Sequence, residues 1–512
     1  MTQTVISTKR RQTKQKRSST GCRTCRSRHV KCDEFPDTCR NCSSTGRICD
    51  GYDMHRLTYA RSTLCLPNVG SHICRVLNTD ERRYLSYFQH HVIANFVAFF
   101  DWQLWQRLVL QMVDAEPAVY HAVNMLAAIH EDSVASKMQL TGTRWDHPQH
   151  LFALEQSTRS LALLRTRGRS QDPQVREVTL MCCLLFTLSE FLLGHYTIAF
   201  QHLQGGIRIL NEEQQMEPSS KDLDLVEAFR RLDIMGSHYG IGPFMTSNTR
   251  FEEQGIWNCM PAKFNNLEEA LQAVRHVMAI EVPWVTKCWS LSDAEILANY
   301  DQLCQKQRAI LAAFDEFAEK FETLCQHKYA TLSPKEQRGA DLLRLQYLSQ
   351  TLTVKICLTH GPVPEYLTPE FVTLLAAHKA FIQKSPERPS IFLDIGIISG
   401  LYCVSNRCPD HRVRLEAIEA LQSWPHFQGM MNSNLVSAIA IMRMQSESGQ
   451  CCQEETTPVS FDTEQNLIRL LSDTLTSTQL ASGWPSIQYG KALQGTTRGA
   501  KTENSLLTKA PP

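Results

Sequence analysis

The sequence predicts a mainly all-α protein, in which a small metal-binding unit at the N-terminus precedes a large multi-helix domain. Three observations support this fold class. Six cysteines cluster between residues 22 and 49. From residue 78 onward, apolar residues recur every three or four positions, the spacing of one helix face. The alternation typical of half-buried strands is nearly absent, and 43% hydrophobic content is sufficient for a core in 512 residues.

The positive charge of the chain is concentrated at its N-terminus. Overall, 53 Lys and Arg residues balance 52 Asp and Glu residues, yet residues 1–50 contain 12 basic and only 4 acidic residues. Such a local excess indicates that this end of the chain meets a polyanion.

The first residues lack the features of a secretory signal, because only Val5 and Ile6 are apolar before the charges begin. No apolar run reaches the roughly 18 residues of a membrane helix, and the best candidate, which starts at Leu180, is interrupted by polar residues such as Glu190. We therefore expect a soluble intracellular protein without membrane contact. Its 19 cysteines should be free thiols or metal ligands.

The six N-terminal cysteines follow one spacing pattern that occurs twice. Two residues separate the first and second cysteine of each half, and six residues separate the second and third. A structural zinc ion takes four thiolates, so six thiolates can serve two ions only if two sulfurs bridge both metals. The pattern predicts a binuclear centre with two Zn²⁺ ions. The predicted metal ligands are Cys22, Cys25, Cys32, Cys39, Cys42 and Cys49.

Two other roles for these cysteines stay open at this point. A disulfide framework would need the secretory context that the N-terminus lacks. A zinc module used only for protein contacts is disfavoured by the charge, which stays strongly positive after two zinc ions and six thiolates are counted. The basic residues lie mainly in the first half, since the second half offers only Arg40 and Arg47. The candidate DNA-binding residues are Arg23, Arg26, Arg28, His29 and Lys31.

The predicted N-terminal domain, residues 21–52, resembles the fungal Zn(II)2Cys6 binuclear cluster DNA-binding domains. All six cysteines match this family's pattern. The other matching residues are Arg26, Arg28, Lys31, Asp33, Gly51 and Tyr52. The resemblance implies two bridging sulfurs, those of Cys22 and Cys39, with Cys25 and Cys32 completing one zinc site and Cys42 and Cys49 completing the other.

The resemblance also implies how the domain reads DNA. In similar proteins, residues just after the second cysteine read a CGG-type triplet in the major groove, and the base-reading residue is usually Lys or Arg. That position is His29 here, which differs from the family pattern. Arg26, Arg28 and Lys31 are then expected to contact phosphates, which orients the domain without specifying sequence.

The segments on either side of the cluster have different compositions. Residues 1–20 form a basic arm, for which nuclear import, contact with the DNA backbone and a simple solvated charge run are the possible roles. Residues 53–77 contain Pro67 and Gly70 without apolar periodicity and are predicted to be a linker. The candidate nuclear-import residues are Lys9, Arg10, Arg11, Lys14, Lys16 and Arg17.

Residues 78–450 are predicted to form one all-α domain of about a dozen helices. Asn78 and Glu81 have the spacing of a capping box, which predicts a helix start. Helices are predicted at about 80–96, 103–113, 117–130, 150–165, 176–193, 196–210, 223–238, 294–326, 339–358, 368–383, 410–422 and 433–446.

This helical region resembles the fungal-specific transcription factor regulatory domain that often follows such clusters. The resemblance rests on segments that begin at Phe100, Leu184, Phe229 and Phe392. Near the end, relatives commonly have paired arginines and a Glu-Gly-Trp sequence. This chain has Arg412-Val-Arg414 and Gln428-Gly-Met430 at those places.

A continuous apolar series over residues 294–326 has the spacing of a coiled-coil seam. Dimerisation through this seam is one interpretation. Burial within the domain's own bundle is favoured, because phenylalanines fit two-stranded seams poorly. The series is Tyr300, Leu303, Gln307, Ile310, Phe314, Phe317, Phe321 and Leu324.

No catalytic motif is present in the helical region. His130 and Glu131 begin like a zinc-protease motif, but the second histidine is missing. His195 and His202 could line a ligand pocket, although core or surface roles are favoured. The tail, residues 451–512, is predicted to be mostly disordered. Its acidic amphipathic segment 461–475 is predicted either to fold on a coactivator or to dock on the parent domain.

Together these features predict a nuclear, sequence-specific regulator of RNA polymerase II transcription of fungal type, with activation favoured over repression. Double-stranded DNA is the expected partner, and a coactivator and an import receptor are further expected partners. The chain is expected to be a monomer or a homodimer. The alternative is a repressor or a scaffold that uses the zinc cluster for protein contacts, and an enzyme is not expected.

Overall fold

The structure is a computed structural model in which two compact units span residues 1–76 and 77–512. The predicted basic arm, linker and tail lie outside the residues that the structure describes. The described residues are 22–33, 38–49, 78–140, 142–144, 146–167, 172, 174–211, 220–237, 260–385 and 388–447.

The N-terminal unit contains two short helices, α1 (Arg23–Ser27) and α2 (Arg40–Ser43). Each helix begins directly after the first cysteine of one half of the repeated pattern. Among the described residues of this unit, the buried cluster consists of cysteines, and the apolar Val30 and Ile48 are exposed. The unit therefore lacks an apolar core of the ordinary kind within residues 22–33 and 38–49.

The second unit is a helical assembly around one continuous apolar core. Short π-helical segments, Phe88–Val92 and Leu104–Leu108, join helices in its first part. Its helices are α3 (Thr79–Tyr87), α4 (Ile93–Phe96), α5 (Val109–Ala115), α6 (Pro117–Ala135), α7 (Pro148–Arg167), α8 (Val175–Leu193), α9 (Tyr196–Asn211), α10 (Ser220–Ser237), α11 (Leu267–Ser290), α12 (Asp293–Ala298), α13 (Tyr300–Lys328), α14 (Pro334–Ile356), α15 (Thr368–Lys384), α16 (Ile398–Arg407), α17 (His411–Gln422) and α18 (Ser433–Glu447).

One small sheet accompanies the helices. Strand β1 (Ile391–Phe392) pairs in parallel with β2 (Phe427–Gln428), which pairs antiparallel with β3 (Met431–Asn432). Gly429 makes the β2–β3 turn with a φ of 62°, and a Cβ there would lie 2.3 Å from the sulfur of Met235. Only glycine suits this position, because the backbone is left-handed and the side-chain space is filled.

The fold class predicted from the sequence is confirmed, since the described residues are mainly helical and the strands are few. The capping box at Asn78 is also confirmed, because the Asn78 N–H donates to Glu81 and the Asn78 side chain accepts from the first turn. A capping box also begins α12, at Ser292, and α14, at Ser333.

Two helices were not predicted, α11 and α16. Pro283 lies inside α11 and removes one backbone donor, which normally ends a helix. The helix continues because apolar side chains on one face, including Val274, Val277 and Val285, are buried in the core. Helix α16 has only ten residues and follows a β-strand, so its periodicity is short.

The apolar series on α13 is buried within the helical unit itself. Ile310, Phe314 and Phe317 are at most 1% exposed, and α13 packs against α11 and α14. The ring of Phe317 lies 5.5 Å from that of Phe264, whereas Tyr300 at the start of the series is 53% exposed. The favoured interpretation, burial in the protein's own bundle, accounts for this series.

None of the helices among the described residues combines the length and the apolar character that crossing a bilayer requires.

Candidate zinc centre and nucleic-acid interface

The six predicted metal ligands come together in the N-terminal unit. Their sulfurs form two groups of four, and within each group all Sγ atoms lie within 4.8 Å of one another. Both groups contain Cys22 and Cys39. The first group is completed by Cys25 and Cys32, and the second by Cys42 and Cys49.

The measured sulfur separations suit tetrahedral zinc. The Sγ atoms of Cys22 and Cys39 are 3.6 Å apart, and that of Cys22 is 3.8 Å from that of Cys42. Cys25 and Cys39 have their sulfurs 3.6 Å apart. A Zn–S bond of about 2.3 Å implies a tetrahedron edge of about 3.8 Å. The six thiols therefore fit two zinc ions that share two sulfurs.

The two halves of the unit are built alike. The Cys25 N–H donates to the Cys22 sulfur at 3.3 Å, and the Cys42 N–H donates to the Cys39 sulfur at the same distance. In both halves the donor is the residue three positions later, at the first turn of a short helix. Backbone N–H donors of this kind orient thiolates that bind a metal.

The thiols of this cluster need a cation in order to ionise. Burial raises the pKa of the Cys22 thiol to about 12, and it raises the pKa values of Cys25 and Cys39 as well. Six thiolates crowded together would repel one another. Because zinc binds the thiolate form, binding the metal releases these protons, and metal binding and folding of the unit are coupled.

The turn that follows helix α1 contains a left-handed residue, His29. The Val30 N–H donates to the Cys25 carbonyl at 3.0 Å, and His29 between them has a φ of 57°. This bond pattern is the usual way to end a helix, although glycine is commoner at the left-handed position. The backbone then runs on to Cys32, so the turn at His29 brings the third cysteine back to the first two.

The candidate DNA-binding residues surround this turn. His29 and Lys31 are exposed. Arg28 is half-buried, and its Nη1 has no hydrogen-bond partner among the described residues. Arg23 and Arg26 lie on α1, but their side chains are outside the described part of the structure.

Asp33 connects the two halves of the cluster. Its carboxylate accepts hydrogen bonds from the N–H groups of Arg40 and Asn41, at 3.0 and 3.2 Å, at the start of α2. Although desolvation acts to raise it, these two N–H donors lower the pKa of Asp33. The Asn41 side chain in turn donates to the Lys31 carbonyl at 2.5 Å. The sequence shows Asp33 as part of the family pattern, but its structural role becomes visible only when the two halves are packed.

Comparison with protein families agrees with this geometry. Residues 20–58 match the fungal Zn(2)-Cys(6) binuclear cluster domain, and residues 83–250 match the fungal specific transcription factor domain. The chain therefore contains two segments that are similar to domains of fungal zinc-cluster transcription factors. Domains of the family that matches residues 20–58 bind two zinc ions, which agrees with the metal content that the sequence predicts.

Several curated relatives of this zinc-cluster protein are transcription regulators. The aspercryptin biosynthesis cluster-specific transcription regulator of Emericella nidulans is 29% identical over 39% of this chain and 36% of its own length. Transcription regulator lscL of Purpureocillium lilacinum is 27% identical over 36% of this chain and 48% of its own length. The matches thus span between a third and a half of those two relatives. No solved structure matches the chain.

Three histidines that the sequence singled out make contacts within the helical unit, where His130 is buried and His195 and His202 are partly buried. Both ring nitrogens of His130 are hydrogen-bonded. Its Nδ1 lies 3.1 Å from the Tyr87 hydroxyl, and its Nε2 lies 2.9 Å from the Ser390 hydroxyl. His195 pairs with Glu190, and the ring of His202 stacks on Phe186. These contacts give each of the three histidines a structural role.

Arg414 and Gln428 make structural contacts in the helical unit. Arg414 is buried, pairs with Glu447 at 2.5 Å and donates to the Ser405 carbonyl at 2.8 Å. The Gln428 Oε1 accepts from the N–H groups of Ile397 and Ile398 at the start of α16. Both side chains therefore connect α16 to neighbouring elements.

Proposed function

We propose that this zinc-cluster protein is a sequence-specific DNA-binding regulator of RNA polymerase II transcription, which reads a CGG-like triplet and activates its target genes. The observation that carries the proposal is the pair of four-sulfur groups that share Cys22 and Cys39. An arrangement of this kind serves a binuclear zinc centre and has no use in an apolar core.

Each cysteine has a distinct role in this proposal. Cys22 and Cys39 are proposed to bridge the two ions, and each of these sulfurs accepts a hydrogen bond from the backbone N–H three residues later. The remaining four sulfurs each belong to one group only. The proposed ligands of one ion alone are Cys25 and Cys32, and those of the other ion alone are Cys42 and Cys49.

The proposed DNA contacts lie around the end of α1. Basic side chains near a helix end can enter the major groove, where guanine presents two acceptors. His29 is exposed at the turn and is proposed to read a base edge, while Arg28 and Lys31 contact phosphates. Arg23 and Arg26 on α1 are proposed as further contacts.

The other parts of the chain supply the regulatory context. The basic residues between Lys9 and Arg17 are proposed to serve nuclear import and to contact the DNA backbone. The segment 461–475 is proposed to recruit a coactivator. Repression, or scaffolding through protein contacts of the cluster, is the alternative function.

Salt dependence of duplex binding separates the proposed function from scaffolding. Each phosphate contact releases counterions, so log K should fall against log salt with a slope of about −0.9 per contact. Binding of the full-length, zinc-loaded protein is measured by fluorescence anisotropy between about 50 and 200 mM salt, on a duplex with a CGG triplet and on a scrambled duplex. We expect a steep slope on both duplexes and tighter binding to the CGG duplex. Equal, salt-independent binding would exclude the proposal.

The direction of regulation is tested in a reporter strain. We expect the full-length protein to raise expression from a promoter that contains its site, and deletion of residues 451–512 to reduce that expression while DNA binding is retained. A decrease in reporter expression with the intact protein would establish repression instead.

A further inference from the structure

Asn41 links the second half of the cysteine cluster to the first half. Its side-chain nitrogen Nδ2 donates a hydrogen bond to the Lys31 carbonyl at 2.5 Å, and its backbone N–H donates to the Asp33 carboxylate at 3.2 Å. A backbone carbonyl only accepts hydrogen bonds, so the amide nitrogen of Asn41 is the atom that faces it. One residue of the second half thus holds the chain on both sides of Cys32.

The equivalent position of the first half makes the same kind of contact. Thr24 and Asn41 each lie two positions after the first cysteine of their half. Lys31 and Ile48 each precede the third cysteine. The Thr24 hydroxyl donates to the Ile48 carbonyl at 3.2 Å. Each half therefore holds the end of the other half's turn with one side-chain donor.

The turns that these donors hold have the same backbone conformation. The Val30 N–H donates to the carbonyl of the second cysteine of the first half at 3.0 Å, and the Arg47 N–H makes the equivalent bond in the second half at the same distance. The residue before each donor is left-handed, with a φ of 57° at His29 and of 64° at Gly46. His29 and Gly46 are thus equivalent positions, and of the two only His29 has a side chain.

The side chains on the two turns differ. The turn that Asn41 holds includes the residues that are proposed to contact DNA, which are Arg28, His29 and Lys31. The equivalent residues of the other turn are Thr45, Gly46 and Ile48. Equivalent hydrogen bonds therefore have different consequences, because the bond of Asn41 fixes the turn with the proposed DNA contacts and the bond of Thr24 does not.

Reading a base edge requires a more exact backbone position than binding a phosphate. Base edges offer their hydrogen-bonding atoms at fixed places in the groove, whereas a phosphate contact orients the protein without selecting sequence. The imidazole of His29 is a short side chain, so its reach depends on the backbone that carries it. That backbone is held at Val30 by the Cys25 carbonyl and at Lys31 by Asn41. Without the bond from Asn41, one of these restraints is lost.

We propose that Asn41 is a positioning residue for DNA reading, which acts through the hydrogen bond from its Nδ2 to the Lys31 carbonyl. The bond keeps the turn at His29 in the orientation in which the imidazole meets a base edge. Because this role rests on the proposed function, it adds a residue of the second half to those that determine sequence preference. Asn41 needs no contact of its own with DNA.

A pair of substitutions at position 41 tests this role. Asn41→Thr keeps a side-chain donor, and threonine makes the equivalent contact in the other half. Asn41→Val has the same shape as Asn41→Thr but lacks the donor. Affinities of the full-length, zinc-loaded proteins for the CGG duplex and the scrambled duplex are measured by fluorescence anisotropy over a range of salt concentrations. Native mass spectrometry gives the zinc content of each protein.

The two variants should differ in sequence preference. We expect Asn41→Val to retain both zinc ions and to lower the ratio of the two affinities by about fivefold, the effect of one lost hydrogen bond. Its slope of log K against log salt should not change, since the phosphate contacts remain. Asn41→Thr should keep the wild-type ratio. Thr24→Val removes the equivalent bond from the other turn, so it is the matched control and should also keep this ratio.

An unchanged ratio in Asn41→Val, or an equal fall in Asn41→Thr or Thr24→Val, would overturn the positioning role and leave the proposed function intact. Loss of zinc from Asn41→Val, with an equal loss of affinity for both duplexes, would also overturn it, because the bond would then support the cluster and not the reading turn. A wild type without any sequence preference would contradict the proposed function, and the positioning role with it.

Discussion

Different interactions stabilise the two units of this zinc-cluster protein, each within itself. In the described part of the N-terminal unit the buried cluster consists of cysteines, whereas the helical unit buries a continuous apolar core that runs from Tyr84 to Val436. A unit without apolar burial has little to offset its conformational entropy. The cluster therefore depends on its metal for folding, and the helical unit does not.

The largest difference should appear when zinc is removed. An excess of chelator should abolish binding to the CGG duplex, with a loss of affinity of about two orders of magnitude or more, because the cluster unfolds with its metal. The helical unit should keep its far-ultraviolet circular dichroism and its melting transition.

A chelated protein that still discriminates the CGG duplex from the scrambled duplex would contradict the separation of the two units. Restoring zinc after chelation is the control, and it should restore DNA binding.

A substitution in the core of the helical unit should destabilise that unit and leave zinc binding unchanged. Phe317 is fully buried and its ring lies 5.5 Å from that of Phe321. Phe317→Ala should lower the free energy of unfolding of the helical unit by about 3 to 5 kcal/mol. Urea denaturation measures this, and the zinc content per folded chain should be unchanged.

Tyr300→Ala is the matched control for this substitution. Tyr300 belongs to the same apolar series of α13 but is 53% exposed, so its loss should change the free energy of unfolding by less than about 0.5 kcal/mol. Equal effects of the two substitutions would mean that the α13 series is not the core contact described.

Within the cluster, neighbouring residues should differ in how they affect DNA binding. His29→Ala should cost about 1 to 3 kcal/mol against the preferred duplex and little against random DNA, because a base reader acts on sequence. Arg28→Ala should weaken binding to all duplexes alike and reduce the salt slope by about one unit. Arg47→Ala, in the second half of the cysteine cluster, should have a smaller effect on both the affinity and the salt slope.

Full sequence preference in the His29→Ala protein would assign base reading to Arg28 or Lys31. Lysine at position 29 is the conservative test, since His29→Lys restores the residue type that is usual in similar proteins and should retain binding.

The smallest effects should come from helix caps, one in each unit. Asp33→Ala removes the acceptor for two N–H groups of α2 and should make zinc easier to remove by a competing chelator, with the melting of the helical unit unchanged. Asn78→Ala removes the cap of α3 and should destabilise the helical unit by about 1 kcal/mol without affecting zinc. Similar effects of both changes on zinc retention would show that the units are coupled.

Prediction from the sequence succeeds for those elements whose structure is determined by a single local rule. Six cysteines can serve two four-coordinate zinc ions only if two sulfurs are shared, and three-and-four periodicity with capping residues predicts most helices, including the start of α3 at Asn78. Helix α11 was missed because burial of its apolar face outweighs the effect of Pro283. The strands have two residues each, which is too short for any alternation to be recognised.

Contacts between distant residues were beyond a single sequence. Arg231 and Arg275 share Asp394, and Arg231 also lies 3.7 Å from the ring centre of Trp102. Such networks join residues far apart in the chain, and no spacing rule connects them. The same holds for the hydrogen bonds that Asp33 accepts from the start of α2.

Zinc stoichiometry by native mass spectrometry tests the central claim most directly. The full-length wild type should bind two zinc ions, Cys49→Ala should retain one of them, and Cys39→Ala should lose both, because Cys39 belongs to both four-sulfur groups and Cys49 to one. One zinc ion in the wild type, or the loss of a single ion from both variants, would contradict a centre that shares two sulfurs.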